Sequence, residues 1–238
     1  MCLLPSRVPV VTRPAHSDEG IDFARLYAYR FRNVDQAARQ RVWGEIAPYL
    51  WERMGRPERV LDPAAGRGEF IRAVPAAHRT MVDAVDYPEV EDLRGVERIV
   101  GDALTCPLPA AAYDGVLVSN LLEHLDNQHD IARFLRRMRD ALVPGGRIAV
   151  LGPNFRYCAG QYFDMADHTL ALTHVAVQEH LAAAGFDEVS AHPRFLPYSF
   201  TGLLPPSPAL TRLYLRTPLA WRLLGKQFLV VAAKPADA

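Results

Sequence analysis

Short apolar runs that stop at an acid or an amide recur along this chain, and helix-like stretches separate them. RVLD (59–62), TMVDAVD (80–86) and VERIVGDA (96–103) each carry an aspartate at or near their end. YDGVLVSN (113–120) and RIAVLGP (147–153) continue the series. Between them, EFIRAV (69–74) has the spacing of a short helix. QHDIARFLRRMRDALVPGG (128–146) places Ile131, Phe134, Leu135, Met138 and Leu142 on one helical face. Val42, Ile46, Tyr49 and Leu50 do the same for a helix over 35–54, and a further helix is expected at 174–184, ending at Gly185. Pro144-Gly145-Gly146 is expected to stop the helix before it. Strands that alternate with helices build a mostly parallel, doubly wound α/β sheet with helices on both faces. DEVSAHPRF (187–195) and QFLVVAAK (227–234) read as the last two strands, without β-α-β spacing between them.

In such sheets ligands sit at the carboxyl ends of the strands. The acids Asp62, Asp86 and Asp102 are therefore expected where a ligand lies. The stretch VLDPAAGRGEFI (60–71) adds a small, glycine-bearing turn after the first strand. Its spacing is Ala64-x-Gly66-x-Gly68. The third glycine of a dinucleotide fingerprint is missing, because Ile71 stands there, and no G-K-[ST] of a P-loop is present.

These residues resemble the first motif of the class I methyltransferases that use S-adenosylmethionine, D/E-x-G-x-G-x-G. The resemblance runs on through AVDYPE, GDALTCPLPAAAYDGVLVSNLLEHL and ALVPGGRIAVLGPN, over about residues 35 to 193. It points to the ubiquinone-biosynthesis, or type 11, group and to a bacterial subgroup that often accompanies glycan or secondary-metabolite enzymes. Ala64 stands where the first glycine is usual. The resemblance implies a Rossmann-like, seven-stranded sheet whose last strand is antiparallel, and S-adenosyl-L-methionine as cofactor. Gly66 and Gly68 would let the backbone approach the cofactor, and Asp62 would meet its ammonium group. Asp86 would accept both ribose hydroxyls, Asp102 with the Ala103 amide would read the adenine, and the Asn120 carbonyl would face the methionine part. Arg30, in YAYRFR (27–32), is expected at the cofactor carboxylate, within an N-terminal segment over 1–34 that acts as a lid. Residues 35–238 are expected to form one methyltransferase domain with an apolar, proline-rich insertion at about 196–225.

The acceptor should lie past the fourth and fifth strands. GPNFRYCAGQYFDMADHTLALTH (152–174) is the richest segment there. His168 beside Asp167 is read as the general base with its orienting acid, since an adjacent carboxylate raises imidazole basicity. Arg156, Tyr157, Tyr162, His174 and Tyr198 are read as acceptor-binding, with Arg194 as a further anion-binding candidate. His124 is read as a structural or cofactor-cleft residue, and His174 also as a helix cap. No metal is expected: Asp164, Asp167 and His168 have no second matching cluster. Tyr198 and Trp221 are expected to be at least partly buried in an insertion that walls the acceptor cavity.

Composition narrows the partners. Lys+Arg and Asp+Glu balance at 27 each in 238 residues, which disfavours a nucleic-acid partner held by bulk positive charge. Cys2, Cys106 and Cys158 form no C-x-x-C pair, which fits reduced thiols. Pro5 and Pro9 interrupt the N-terminal apolar run, and no stretch nears the ~20 apolar residues of a membrane span. The expectation is a cytoplasmic monomer or homodimer, without stable membrane insertion, that methylates O or N of a small-molecule acceptor such as a sugar, glycan precursor or natural product. The competing readings are a nucleic-acid or protein methyltransferase, and a cofactor-binding protein without activity. SNLL stands where amino-group DNA methylation needs N-P-P-Y.

Overall fold

The computed structural model describes residues 21–87, 93–198 and 206–237. The chain divides into two compact units, Met1–Asn33 and Val34–Ala238. In the first, α1 (Phe23–Arg30) begins at Asp22, whose carboxylate accepts the Arg25 amide, so one unpaired N–H of the first turn is satisfied.

The second unit holds a seven-stranded sheet in the order β3-β2-β1-β4-β5-β7-β6. The strands are β1 (Arg59–Asp62), β2 (His78–Asp83), β3 (Val96–Val100), β4 (Tyr113–Ser119), β5 (Leu142–Pro153), β6 (Asp187–His192) and β7 (Gln227–Ala233). β1 pairs in parallel with both β2 and β4, so the strand order reverses between β1 and β4. That reversal opens the crevice in which ligands bind. β7 alone runs antiparallel, paired to both β5 and β6, as expected of the last strand.

Two apolar layers cover the sheet. One face takes α4 (Gln128–Ala141) and α6 (His174–Ala183), with Phe134, Met138, Val177 and Leu181 against Val116, Val118 and Val230. The other takes α2 (Gln36–Arg53) and α3 (Glu69–Ala73), with Trp43, Leu50, Phe70 and Ile71 against Val60, Leu117 and Leu229. α5 (Phe155–Tyr162) follows β5.

Three boundaries differ from expectation. β2 ends at Asp83, where pairing with β3 closes at Asp83↔Val100, so Asp86 lies three residues beyond the strand. β3 ends at Val100, and Asp102 falls in the turn after it. Pro144-Gly145-Gly146 does not stop the helix: α4 ends at Ala141 and β5 starts at once. The Gly145 amide donates to Lys234, and the Lys234 amide donates back to Gly146, so these residues extend the sheet.

The segment before β7 forms α7 (Pro208–Leu215) and α8 (Pro218–Leu224), each with proline in its first turn. Proline has no N–H to lose there and its φ suits the helix, so Pro208 and Pro218 start helices as well as interrupt the run. Arg212 holds Glu45 of α2 through Nε at 2.8 Å. Trp221 and Leu215 are buried with Tyr49 and Phe195 against them, so this insertion closes the α2 face of the sheet. Trp221 is thus a core residue, and Tyr198 is partly buried, both as expected. Leu203 and Leu204 lie outside the described residues.

Candidate cofactor and acceptor site

β1 delivers Asp62 into the interior, 3% exposed, and the chain then turns through Ala64–Gly68 into α3. Gly66 (φ 55°) and Gly68 (φ 76°) take the left-handed conformation that a side chain disfavours. A Cβ built on Gly66 would meet no protein atom within 4 Å, so space beside this backbone is left for a ligand. The turn is fixed from across the sheet. The Gly66 amide donates to Asp83 Oδ2 at 2.6 Å, and the Val85 amide donates to Asp83 Oδ1 at 2.8 Å.

Asp83 is therefore the carboxylate that ends β2, a residue the sequence reading missed. Asp86 is exposed instead and ion-paired with Arg98 of β3. Asp83 directly follows the buried pair Met81-Val82, and the run VDAVD offers it and Asp86 alike. A cleft lined by Gly66, Asp83, Val85, Tyr87, Arg98 and Ile99 lies at this end of the sheet.

The electrostatics are one-sided. Burial pushes the Asp62 carboxyl up to about 8, helped by the nearby charges of Asp83 and Glu69. Burial raises Asp83 as well. Glu69 is buried and answered by Arg39 Nε at 2.6 Å. Asp102 closes its own turn: its side chain accepts the Leu104 amide at 2.8 Å, and its carbonyl accepts those of Thr105 and Cys106. Ala103 sits in that turn, partly exposed. Asn120, just past β4, has φ 50°, rare for a residue with a side chain, and its amide donates to Leu151 at 2.8 Å. Arg30 belongs to the first unit, where its guanidinium lies 5.2 Å from the Tyr27 ring centre.

On the acceptor side a 3₁₀ turn, Leu122–His124, follows β4. The loop after α5 is tied to it, because the Thr169 and Leu170 amides both donate to the Glu123 carbonyl at 2.9 and 3.3 Å. Asp167 is buried, and His124 Nδ1 lies 3.0 Å from its carbonyl and 3.3 Å from its Oδ2. His168 packs edge-on against His124, ring centres 4.8 Å apart, and against Tyr162 at 4.7 Å. The structure thus brings His124, read from sequence as structural, into one cluster with Asp167, His168 and Glu123.

Other expected acceptor residues are spent elsewhere. Tyr162 is fully buried, donates to the Leu170 carbonyl at 2.7 Å and accepts the Leu172 amide at 3.2 Å, so its hydroxyl clamps a loop. His174 is buried, with its Nδ1 3.0 Å from Asn154 Nδ2; burial lowers its pKa. Thr173, not His174, caps α6. Arg194 donates to the carbonyls of Gly225 and Leu223 at the end of α8 and lies over Tyr157 at 4.8 Å. Arg156 and Asp164 are exposed, and Tyr157 is partly exposed.

The glycine turn and the acids at the strand ends fall within a stretch that matches a known family model. Residues 61–150 match the family described as the methyltransferase domain. The chain is 34% identical over 108 residues, 45% of its length, to the 2-phytyl-1,4-naphtoquinone methyltransferase of Thermosynechococcus vestitus, of which this is 41%. It is 23% identical over 112 residues, 46% of its length, to a probable tRNA methyltransferase 9B of Bos taurus, of which this is 24%. The chain thus spans less than half the length of these curated relatives. A solved N1-methyltransferase of Burkholderia thailandensis, bound to 1,6-didemethyltoxoflavin and S-adenosylhomocysteine, superposes with TM-score 0.57 at 22% identity, over 90% of this chain and 89% of that one. The fold is the Rossmann-like class I methyltransferase fold. No helix among the described residues is long and apolar enough to cross a membrane.

Proposed function

We propose that the chain is a methyltransferase that uses S-adenosylmethionine to methylate O or N of a small-molecule acceptor. The observation that carries this is the acid group around the glycine turn, buried Asp62 and Glu69 with partly buried Asp83, beside open space at Gly66. A pyrophosphate would be repelled there. A ligand that carries an ammonium and a sulfonium would be attracted, since a nearby cation favours the ionised form of a buried carboxyl such as Asp62. Asp62, Gly66 and Gly68 would hold the methionine part, with Ala64 in the same turn and the Asn120 carbonyl opposite. Asp86, once parted from Arg98, would accept the ribose hydroxyls, and Asp102 with Ala103 would flank the adenine.

Methyl transfer from a sulfonium is an in-line displacement, so placing the acceptor close and collinear supplies much of the rate. Asp167 and His168 would serve the acceptor, with Arg156, Tyr157 and Tyr198 for its polar groups. The balanced net charge and the likeness to a naphthoquinone methyltransferase favour a small molecule, and the likeness to a tRNA methyltransferase keeps RNA as the alternative.

Calorimetry with S-adenosylmethionine and with S-adenosylhomocysteine tests the cofactor. Asp86→Ala should weaken binding about 10- to 100-fold, the worth of one strong hydrogen bond to a charged group. Its stability should change by less than about 1 kcal/mol, because an exposed ion pair contributes little. No binding by the unaltered chain would defeat the cofactor reading, and an unchanged dissociation constant in the variant would remove Asp86 from the site. Labelled methyl transfer to tRNA but not to quinols, phenols or sugars would make RNA the acceptor.

A further inference from the structure

Glu123, His124 and His168 each offer one ligand atom, and these atoms lie within 4.8 Å of one another. The three come from two tied segments, the 3₁₀ turn after β4 and the loop after α5. His124 is the key to the chemistry. Its Nδ1 lies 3.0 Å from the Asp167 carbonyl and 3.3 Å from the Asp167 carboxylate, which fixes the N–H on that nitrogen. In the neutral ring the lone pair is then on Nε2. That nitrogen faces Glu123 Oε1 at 3.9 Å.

Glu123 is 2% exposed, and its Oε1 is buried with no hydrogen-bond donor. A carboxylate oxygen and an imidazole lone pair thus confront each other in the interior. The gap is too long for a direct hydrogen bond. It suits two ligands of one cation: bonds of ~2.0–2.2 Å set ligand atoms ~3.4 Å apart in a tetrahedral site.

We propose that Glu123, His124 and His168 bind one divalent first-row transition-metal ion of the zinc class. Two imidazoles and a carboxylate select that class over calcium or magnesium, which take oxygen ligands. Asp167 holds His124 from behind, as carboxylates do for metal-bound histidines. Three protein ligands leave at least one position open, for water or an acceptor oxygen, and a bound ion would acidify a hydroxyl placed there. Glu123 and His124 also explain why the sequence reading found no metal: it looked to Asp164, which is exposed, whereas the matching ligands stand over forty residues upstream. The site draws on neither the glycine turn nor β2, so it stands apart from the cofactor reading.

The test uses the full chain, stripped with a chelator and titrated with Zn²⁺ alone and with Co²⁺ alone. One saturable equivalent is expected, with visible Co²⁺ absorption of a low-coordinate site and a melting temperature raised by Zn²⁺. His168→Ala should lower affinity at least tenfold, and Asp167→Asn 10- to 100-fold. Cofactor affinity in His168→Ala should stay unchanged, whatever the acceptor proves to be. Glu123→Gln should abolish the Co²⁺ spectrum; if that variant fails to fold, His168→Ala decides alone. Absence of saturable binding by the unaltered chain, or full binding by His168→Ala, overturns the site and leaves a hydrogen-bonded histidine pair. Metal binding without cofactor binding would keep this site while removing the methyl-transfer reading.

Discussion

At the residue scale, Asp62 is the group whose environment most demands a partner. Its carboxyl, pushed up to about 8 by burial, holds a proton at neutral pH that the unfolded chain would release. Between about pH 4 and 8 the folded state binds more protons, so Asp62 makes the chain less stable as pH rises through that window. A ligand ammonium reverses the preference, because it favours the ionised form. Cofactor binding at pH 7 should then release up to one proton, and affinity should rise toward pH 8. Calorimetry in two buffers of different ionisation enthalpy reads the release directly. Asp62→Asn should abolish it, and should gain stability relative to the unaltered chain between pH 4 and 8. Equal binding enthalpy in both buffers would separate Asp62 from the cofactor. The need for Asp62, Gly66 and Gly68 was legible in the sequence, because a strand, an acid and a glycine turn follow in order. Asp83 was not, because the run VDAVD offers two acids, and only the pairing of β2 with β3 decides which one ends the strand.

At the element scale, strands and helices were legible wherever apolar spacing ran unbroken, as in β1, β4 and α4. The start of β5 was hidden, because proline and two glycines look like a stop and become sheet only when Lys234 pairs with them. Side-chain roles in the loop after α5 were hidden for a related reason. Tyr162 looks like a binding residue in sequence, yet its hydroxyl is engaged on both sides by the backbone at Leu170 and Leu172. Tyr162→Phe removes the donor and the acceptor together and leaves the Leu170 carbonyl and Leu172 amide without that partner. A loss of about 1–3 kcal/mol is expected, read as a lower melting midpoint in denaturant. Activity, once an acceptor is known, should fall only as far as the loop carrying His168 loosens. A variant as stable as the parent, with altered acceptor affinity, would return Tyr162 to the binding surface.

At the scale of the whole molecule, the segment before β7 poses a choice that composition alone left open. Its leucines and arginines suit either a cap on the core or a surface that rests on something else. The structure splits the residues between the two. Leu215 and Trp221 are buried, and Trp221 donates through Nε1 to the Tyr214 carbonyl at 2.8 Å. Its ring meets Phe195 at 5.1 Å, His192 at 5.4 Å and Tyr49 at 6.1 Å, all nearly perpendicular. Leu213, Leu219 and Leu223 are more than 60% exposed. If α7 and α8 are integral to the α2 face, global stability must depend on the buried ring and not on the exposed leucines. Trp221→Ala should therefore cost about 3–5 kcal/mol, as large aromatic deletions in cores do. The double variant Leu219→Ser, Leu223→Ser should stay within about 0.5 kcal/mol of the parent, since neither side chain is buried. Urea unfolding followed by tryptophan fluorescence and by far-ultraviolet circular dichroism reads both. One coincident transition, shifted in the first variant only, makes the cap part of the single cooperative core. A global transition left unmoved by Trp221→Ala would mean that α7 and α8 only rest on the domain, and the integral-cap reading would fail.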